Sequence, residues 1–346
     1  MTAYVARRLL SGLLILFALT FATFLVFRTI PLDPACLVLD CGPKSTVTEA
    51  QLHAKDHELG VDRPVYVQYG KYVWRLLRHG NFGDSWSKGP IDAVVKAAFP
   101  ATASVVVGGM VVLLLLALPL GILSALKAES PIDRIVLAVS ILGIALHPLL
   151  IGYLLRRLFH SDLSLLPSSG YCPIRGSDVP LQAFEHGQTI EMSCSTPVAA
   201  WAYHLALPWL TFACFFLALY TRMIRTRVLE TLQLPHVATA RAKGASSLRV
   251  LRRHVLRIAL LPLATMVALD IGGALMASVY IEASFQLNGL GNLMIDLLEG
   301  NHISYDLPII AAITFAIGGL VVVLNLLADL VHAGADPRIR IAGRAS

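Results

Sequence analysis

Long uncharged runs, separated by polar stretches of uneven length, set the pattern of this chain. Leu9–Phe27 is nineteen residues without a charge, preceded by Arg7 and Arg8. That length crosses a hydrocarbon core of about 30 Å. It is long for a secretory leader, and no A-x-A site follows. Ala101–Leu126 is twenty-six uncharged residues. Further spans are predicted over Ile135–Leu155, broken near His147-Pro148, within Pro197–Thr221, over Ile258–Ile281 and over Leu307–Leu330. Gly108-Gly109, Gly272-Gly273 and Gly318-Gly319 suit close helix packing. The fold class predicted is all-α integral membrane, with six transmembrane helices.

Between the first two spans lies a polar segment, residues 31–100, predicted as a small extracytoplasmic helical domain. Thr46 and Glu49 suggest a capping box for a helix that runs to Leu59 and stops at Gly60. Pro64 opens a second helix with Tyr66, Tyr69, Val73 and Leu76 on one stripe, and Ile91–Phe99 reads as a short third. The other outer loops are His160–Thr196, rich in Pro, Gly and Ser, and Ser284–Asp306, which has no Lys or Arg.

Composition and charge then orient the spans. Charged residues are 14% of the chain, against about 25% in soluble domains. The net charge of +6 reflects cations beside apolar runs, which points to membrane lipid and not to nucleic acid. With both termini cytoplasmic, 16 of 28 Lys and Arg fall inside and 12 outside, nine of the latter in the long segment Arg28–Lys96. The divisions expected are 1–30, a tail and first span; 31–100, the outer helical segment; 101–335, the remaining spans; and 336–346, a cytoplasmic tail.

The stretch 234–262, between the fourth and fifth spans, carries Arg241, Lys243, Arg249, Arg252, Arg253 and Arg257. No acidic residue occurs between Glu230 and Asp270. It is predicted as a cytoplasmic coupling helix: a helix through Val237–Arg241, a break at Gly244, then a second helix over Ala245–His254 with Leu248, Leu251 and Val255 on one stripe. Thr239, Ala240, Arg241, Ala242, Lys243, Gly244, Ala245, Leu248 and Arg249 form the candidate contact for a cytosolic partner. A purely topogenic basic loop is the alternative.

Chemistry-bearing residues are sparse. No phosphate-cradling G-x-x-x-x-G-K-[ST] occurs, and no hydrolase or metal-ligand pattern. Asp270 is the one carboxylate near the middle of a span, at an insertion cost of about 2.5–3.5 kcal/mol, so it should face a path or a polar partner. His147, beside the Pro148 break, is a second candidate for the translocation path. Cys36, Cys41, Cys172 and Cys194 fall on the outer side; disulfides there, with Cys36–Cys41 and Cys172–Cys194 as one of three connectivities, stand against unpaired thiols.

Several motifs, in order along the chain, resemble one family. TARAKG at Thr239, His254 and Leu261-Pro262 resemble the "EAA" loop of ABC-transporter permeases of the dipeptide/oligopeptide/nickel branch. YVARRLL at Tyr4, IPLDP at Ile30, LGVDRPVYVQY at Leu59, GNFGDSW at Gly80, LPSSGY at Leu166, HLALP at His204, Glu282 with Phe285 and Gly289-Leu290-Gly291, and DPRIR at Asp336 continue the likeness. The chain is most similar to the first, B-type permease of the pair. Ala238 stands where the generic loop has Glu, Asn288 where Pro is common, and Asp270 where an uncharged polar residue is usual. The resemblance implies a non-catalytic subunit of an importer of short peptides or a related solute, multi-pass in the inner membrane of a prokaryote. It implies a homologous second permease, two cytosolic ATPase subunits and an extracytoplasmic solute-binding protein. ATP and magnesium would sit on the ATPases, with no cofactor in this chain. Glu282 joins Asp270 and His147 as a path candidate. The rival is a gradient-driven secondary transporter or channel with a proton relay through Asp270 and His147.

Overall fold

The computed structural model describes residues 2–29, 34–39, 47–85, 89–174, 181–185, 188–192, 197–299 and 306–335. Helices dominate. In order they are α1 Thr2–Thr29, α2 Pro34–Leu39, α3 Glu49–Leu59, α4 Val65–His79, α5 Ile91–Leu126, α6 Pro131–Ala145 and α7 Pro148–Arg156. There follow α8 Pro197–Leu232, α9 Pro235–Ala242, α10 Ser247–Val250, α11 Leu256–Ala259, α12 Leu261–Phe285, α13 Leu290–Glu299 and α14 Leu307–Ala335. Two antiparallel hairpins complete the set: β1 Asp84–Ser85 with β2 Gly89–Pro90, and β3 Leu181–Glu185 with β4 Gln188–Met192, where Leu181 opposes Met192.

Among the described residues five helices are long and apolar enough to cross a bilayer, over Arg7–Val26, Ile91–Leu126, Val198–Leu232, Thr265–Phe285 and Leu307–Leu326. The pair α6–α7, bent by 107°, supplies a sixth if counted as one span. The bend has a local cause. Pro148 cannot donate a backbone hydrogen bond and holds His147 extended, at φ −67° and ψ 145°. His147 then caps α7, its Nδ1 accepting from the Leu149 N–H at 3.3 Å. Leu10, Leu14 and Ile15 on α1 stay exposed, as side chains facing lipid do.

The chain divides into two compact units. The first joins residues 1–100 to 288–323. Its core packs Ile91, Val95 and Ala98 of α5 against Leu290 and Leu297 of α13 and Ile309, Ile310 and Ile313 of α14. Beside it, Phe24 of α1, Tyr72 of α4 and Ala311 of α14 form a second cluster. Tyr69 ties α4 to α1, its hydroxyl donating to the Phe17 carbonyl at 2.6 Å and meeting Thr20 Oγ1 at 3.0 Å. Asp306 caps α14: Oδ1 accepts from Ile309 N–H at 3.3 Å and Oδ2 from Ser85 Oγ at 2.5 Å.

The second unit joins residues 101–287 to 324–346, with α8 packed by α6, α7 and α12. Glycines set the approach of α8 to its neighbours. A Cβ at Gly109 would lie 2.6 Å from the Phe212 ring and one at Gly121 2.8 Å from Ile224. Gly108 faces the Trp209 indole and Gly143 the Cys214 carbonyl oxygen, both with no room for a methyl group. Asp133, at the start of α6, takes a bidentate pair from Arg225 of α8, Nε to Oδ1 at 2.7 Å and Nη2 to Oδ2 at 2.6 Å. Ser124 Oγ of α5 and the Glu129 N–H donate to the same carboxylate.

Several expectations are corrected. The capping box is Thr48 with Gln51, whose side chain accepts from the Thr48 N–H at 2.9 Å, and not Thr46 with Glu49. Ile91–Phe99 is no separate helix but the first turns of α5, continuous through Pro100, because its apolar face is buried against α13 and α14. On α4 the most buried residue is Tyr72, with Tyr69 and Val73 of the predicted stripe packed beside it, while Tyr66 is 71% exposed. The loop 284–306 holds α13, and the loop 160–196 holds β3–β4. A Cβ at Gly272 or Gly273 would meet nothing among the described residues.

Candidate functional site

The basic elbow between α8 and α12 is built from short pieces. Pro235 occupies the first turn of α9, where its missing N–H costs nothing. The helix ends in a Schellman motif: Gly244 adopts φ +79°, its N–H reaches the Arg241 carbonyl at 2.9 Å, and Ala245 N–H reaches Ala240 at 3.2 Å. A side chain at Gly244 would touch nothing within 4 Å, so backbone conformation, not crowding, is what asks for glycine there.

After α10 the chain makes a π-helical turn over Leu251–Val255 before α11. The wider turn changes which residues face inward. Val250, Val255 and Ala259 are buried, together with Val237 of α9. The predicted stripe of Leu248, Leu251 and Val255 is therefore corrected. Leu248 is 64% exposed and Leu251 half-buried. Val237 and Val250 are buried within the elbow, whose contacts with α8 run through the Leu251–Val255 turn and α11. Arg241, Lys243, Arg249, Arg252, Arg253 and Arg257 are all exposed, as are Thr239 and Ala242, with Ala240 and Ala245 half-buried. The result is a cationic knob whose most exposed large apolar side chain is Leu248, with Leu234 and Ile258 also at the surface.

A second polar group lies inside the spans. Tyr220 of α8 faces Asp270 of α12. The Tyr220 hydroxyl and Asp270 Oδ2 are both buried, and among the described residues neither completes a well-aligned hydrogen bond. His147 is exposed and meets Tyr280 of α12 edge to face, with ring centroids 4.6 Å apart. Asp270 and Tyr280 are ten residues apart on one helix, roughly 15 Å along its axis. The structure therefore assigns the two candidates to different levels, each with its own tyrosine. Glu282 is fully buried one half-turn beyond Tyr280. Arg156, at the end of α7, donates to the Ser284 carbonyl at 3.1 Å. Cys172 is buried and takes part in a disulfide, whereas Cys41 and Cys194 lie outside the described residues.

Residues 117–341 match the family model described as binding-protein-dependent transport system inner membrane component, and residues 1–106 match its N-terminal family. The chain belongs to this family of ABC-importer permeases. It is 32% identical to the oligopeptide transport system permease protein AppB of Bacillus subtilis, over 98% of this chain and 99% of that one. It is 33% identical to the di/tripeptide transport system permease protein DppB of Pseudomonas aeruginosa, over 98% and 99% respectively. The permease residues that pattern reading did not find are Tyr220, Tyr280 and the Asp133–Arg225 pair. Tyr220 and Tyr280 sit in apolar runs that look like ordinary span, and an ion pair 92 residues apart in sequence leaves no local mark.

Proposed function

We propose that this permease is the membrane-spanning subunit of an ATP-driven importer of short peptides or a closely related solute, working by alternating access. In this scheme it pairs with a homologous second permease. Two cytosolic ATPase subunits, which carry ATP and magnesium, grip it at Thr239–Arg249. An extracytoplasmic binding protein delivers the solute, and both termini lie in the cytoplasm of a prokaryote. The observation that carries this reading is the elbow. It is anchored to α8 through the Leu251–Val255 turn and α11, it presents exposed cations and Leu248 outward, and the chain has no phosphate-binding loop of its own. A knob fixed to α8 and continuing toward α12 is a mechanical handle on two spans at once. The names of the related permeases support a peptide as the solute.

Asp270, His147 and Glu282 are the residues proposed to line or control the path. A proton relay directly between Asp270 and His147, as a secondary transporter would require, is disfavoured by their separate levels along α12 and separate tyrosine partners.

Gly244→Val tests the handle. The left-handed backbone costs an L-residue about 1–2 kcal/mol, and β-branching adds to this. Membrane insertion and pairing with the second permease should be normal, while peptide uptake and peptide-stimulated ATP hydrolysis by the reconstituted complex should fall roughly tenfold. Wild-type coupling in that variant would refute the role of the elbow, and uptake by the chain without any ATPase would refute the importer.

A further inference from the structure

Helix α4 has three faces, and only one of them is packed. On the packed face, Tyr69, Tyr72 and Val73 cluster with Phe24 of α1 and Ala311 of α14. A second face is polar. It holds Gln68, whose amide donates to the Val61 and Arg63 carbonyls at 3.1 and 2.7 Å, and the exposed Lys71, Arg75 and Arg78. Between these two runs a third stripe, Tyr66, Gly70, Trp74 and Leu77, spaced as one side of a helix. It is aromatic and apolar, yet Tyr66 is 71%, Trp74 61% and Leu77 70% exposed. Large apolar side chains gathered on one open stripe mark a surface that meets something other than water. Arg78 leans toward the stripe, its guanidinium carbon 5.6 Å from the centre of the Trp74 ring.

Depth decides what covers this stripe. The Tyr69 hydroxyl donates to the Phe17 carbonyl, and its ring lies 5.1 Å from that of Phe21 and 5.5 Å from that of Phe24. Phe17 precedes Val26, the end of the apolar span of α1, by roughly 13 Å of helix. Helix α14 gives the same level independently. Leu307 and Ala311 pack in the Tyr72 cluster. Phe82, stacked on Tyr72, also meets Phe315, roughly 12 Å along the span that starts at Leu307. Half of a bilayer core is about 15 Å thick. Both spans therefore set α4 within one leaflet, beside the last turns of α1 and the first turns of α14, and not above the membrane.

At that level Leu19, Phe21, Leu25 and Val26 of α1 are exposed, as side chains facing lipid are, and Phe21 touches Tyr69 directly. The open stripe of α4 continues this lipid-facing surface. Its chemistry suits the edge of the hydrocarbon. Tyrosine and tryptophan set an apolar body in lipid with one polar atom toward water, and lysine and arginine stems lie along apolar surface with their charge outside it. We infer that α4 is an interfacial membrane helix whose partner is the phospholipid bilayer itself. Tyr66, Trp74 and Leu77 are sunk in the leaflet that holds the C-terminal end of α1, and Lys71, Arg75 and Arg78 stand at headgroup level. The helix then fixes the height of α1 and α14 in the bilayer, because sliding either span would draw the stripe into water.

The test uses the full chain in its assembled transporter, in nanodiscs of phosphatidylcholine and phosphatidylglycerol. The photo-crosslinker benzoylphenylalanine replaces Tyr66, Trp74 or Leu77 in turn. All three side chains are exposed, so each variant should fold. Ile15 of α1 is the lipid-facing control and Tyr72 the buried one. After illumination, mass spectrometry of the digested chain should find phospholipid adducts at all three positions and at Ile15, and none at Tyr72. Adducts of the three positions to a partner subunit, a binding protein or a second copy of this chain would overturn the inference. So would the absence of phospholipid adducts there while Ile15 gives one. A second reading comes from Trp74 emission, taken as the difference between wild type and Trp74→Phe. Phosphatidylcholine brominated on its acyl chains should quench most of it. Emission that bromine leaves unchanged and that iodide in the water quenches would place the stripe outside the membrane and overturn the inference as well.

Discussion

Asp133 offers the sharpest test of how the second unit is held together. It is 2% exposed and takes four donors: two from Arg225, one from Ser124 and one from the Glu129 N–H. Three helices, α5, α6 and α8, converge on that carboxylate. Asp133→Ala removes the acceptor and leaves a guanidinium facing a hole. Breaking a fully buried pair from one side costs about 3–5 kcal/mol. The Arg225 side chain keeps 22% of its surface exposed, so water recovers part of the loss, and about 3 kcal/mol is expected. For a chain of this size that corresponds to roughly 5 °C in the melting temperature of the detergent-solubilised protein. Replacing both partners, as in Asp133→Leu with Arg225→Met, leaves no orphaned charge and should restore most of the loss. The coupling between the two sites is then about 1–3 kcal/mol. A single Asp133→Ala variant that melts within about 1 °C of the wild type, a difference near the error of such comparisons, would refute the idea that this carboxylate pins the three helices.

Two further outcomes are expected. Gly143→Ala should lower the melting temperature by the equivalent of about 1–3 kcal/mol, because the new methyl group meets the Cys214 carbonyl and forces α6 from α8; an unchanged transition would show that the two helices part freely. Asp270→Ala should alter peptide uptake or preference while leaving expression near the wild-type level, since the carboxylate it removes completes no well-aligned hydrogen bond with Tyr220; an unaltered substrate profile would return Asp270 to a packing role.

The membrane character of the chain, its helical class and most of its spans were legible from one property, the length of the uncharged runs. A segment that must bury its own backbone polar groups in lipid has to be a helix of about twenty residues, and that requirement is local. The elbow was legible for the same reason: cations in the α9–α10 region, Pro235 and Gly244 announce a capped helix and a left-handed turn from a few neighbours. Which of its residues face inward was not legible, because the π-helical turn at Leu251–Val255 replaces Leu248 by Val250 on the buried side. The continuity of α5 through Pro100 was hidden too, since it depends on burial of Ile91, Val95 and Ala98 against segments about 200 residues later. The same holds for Tyr220 beside Asp270, Arg225 on Asp133, and the open surroundings of Gly272 and Gly273. Pairings of this kind arise when separate helices meet, and a periodicity of 3.6 residues carries no information about which partner arrives on a given face. Local rules therefore determined what the elements are, and packing alone decided which polar groups they bring together.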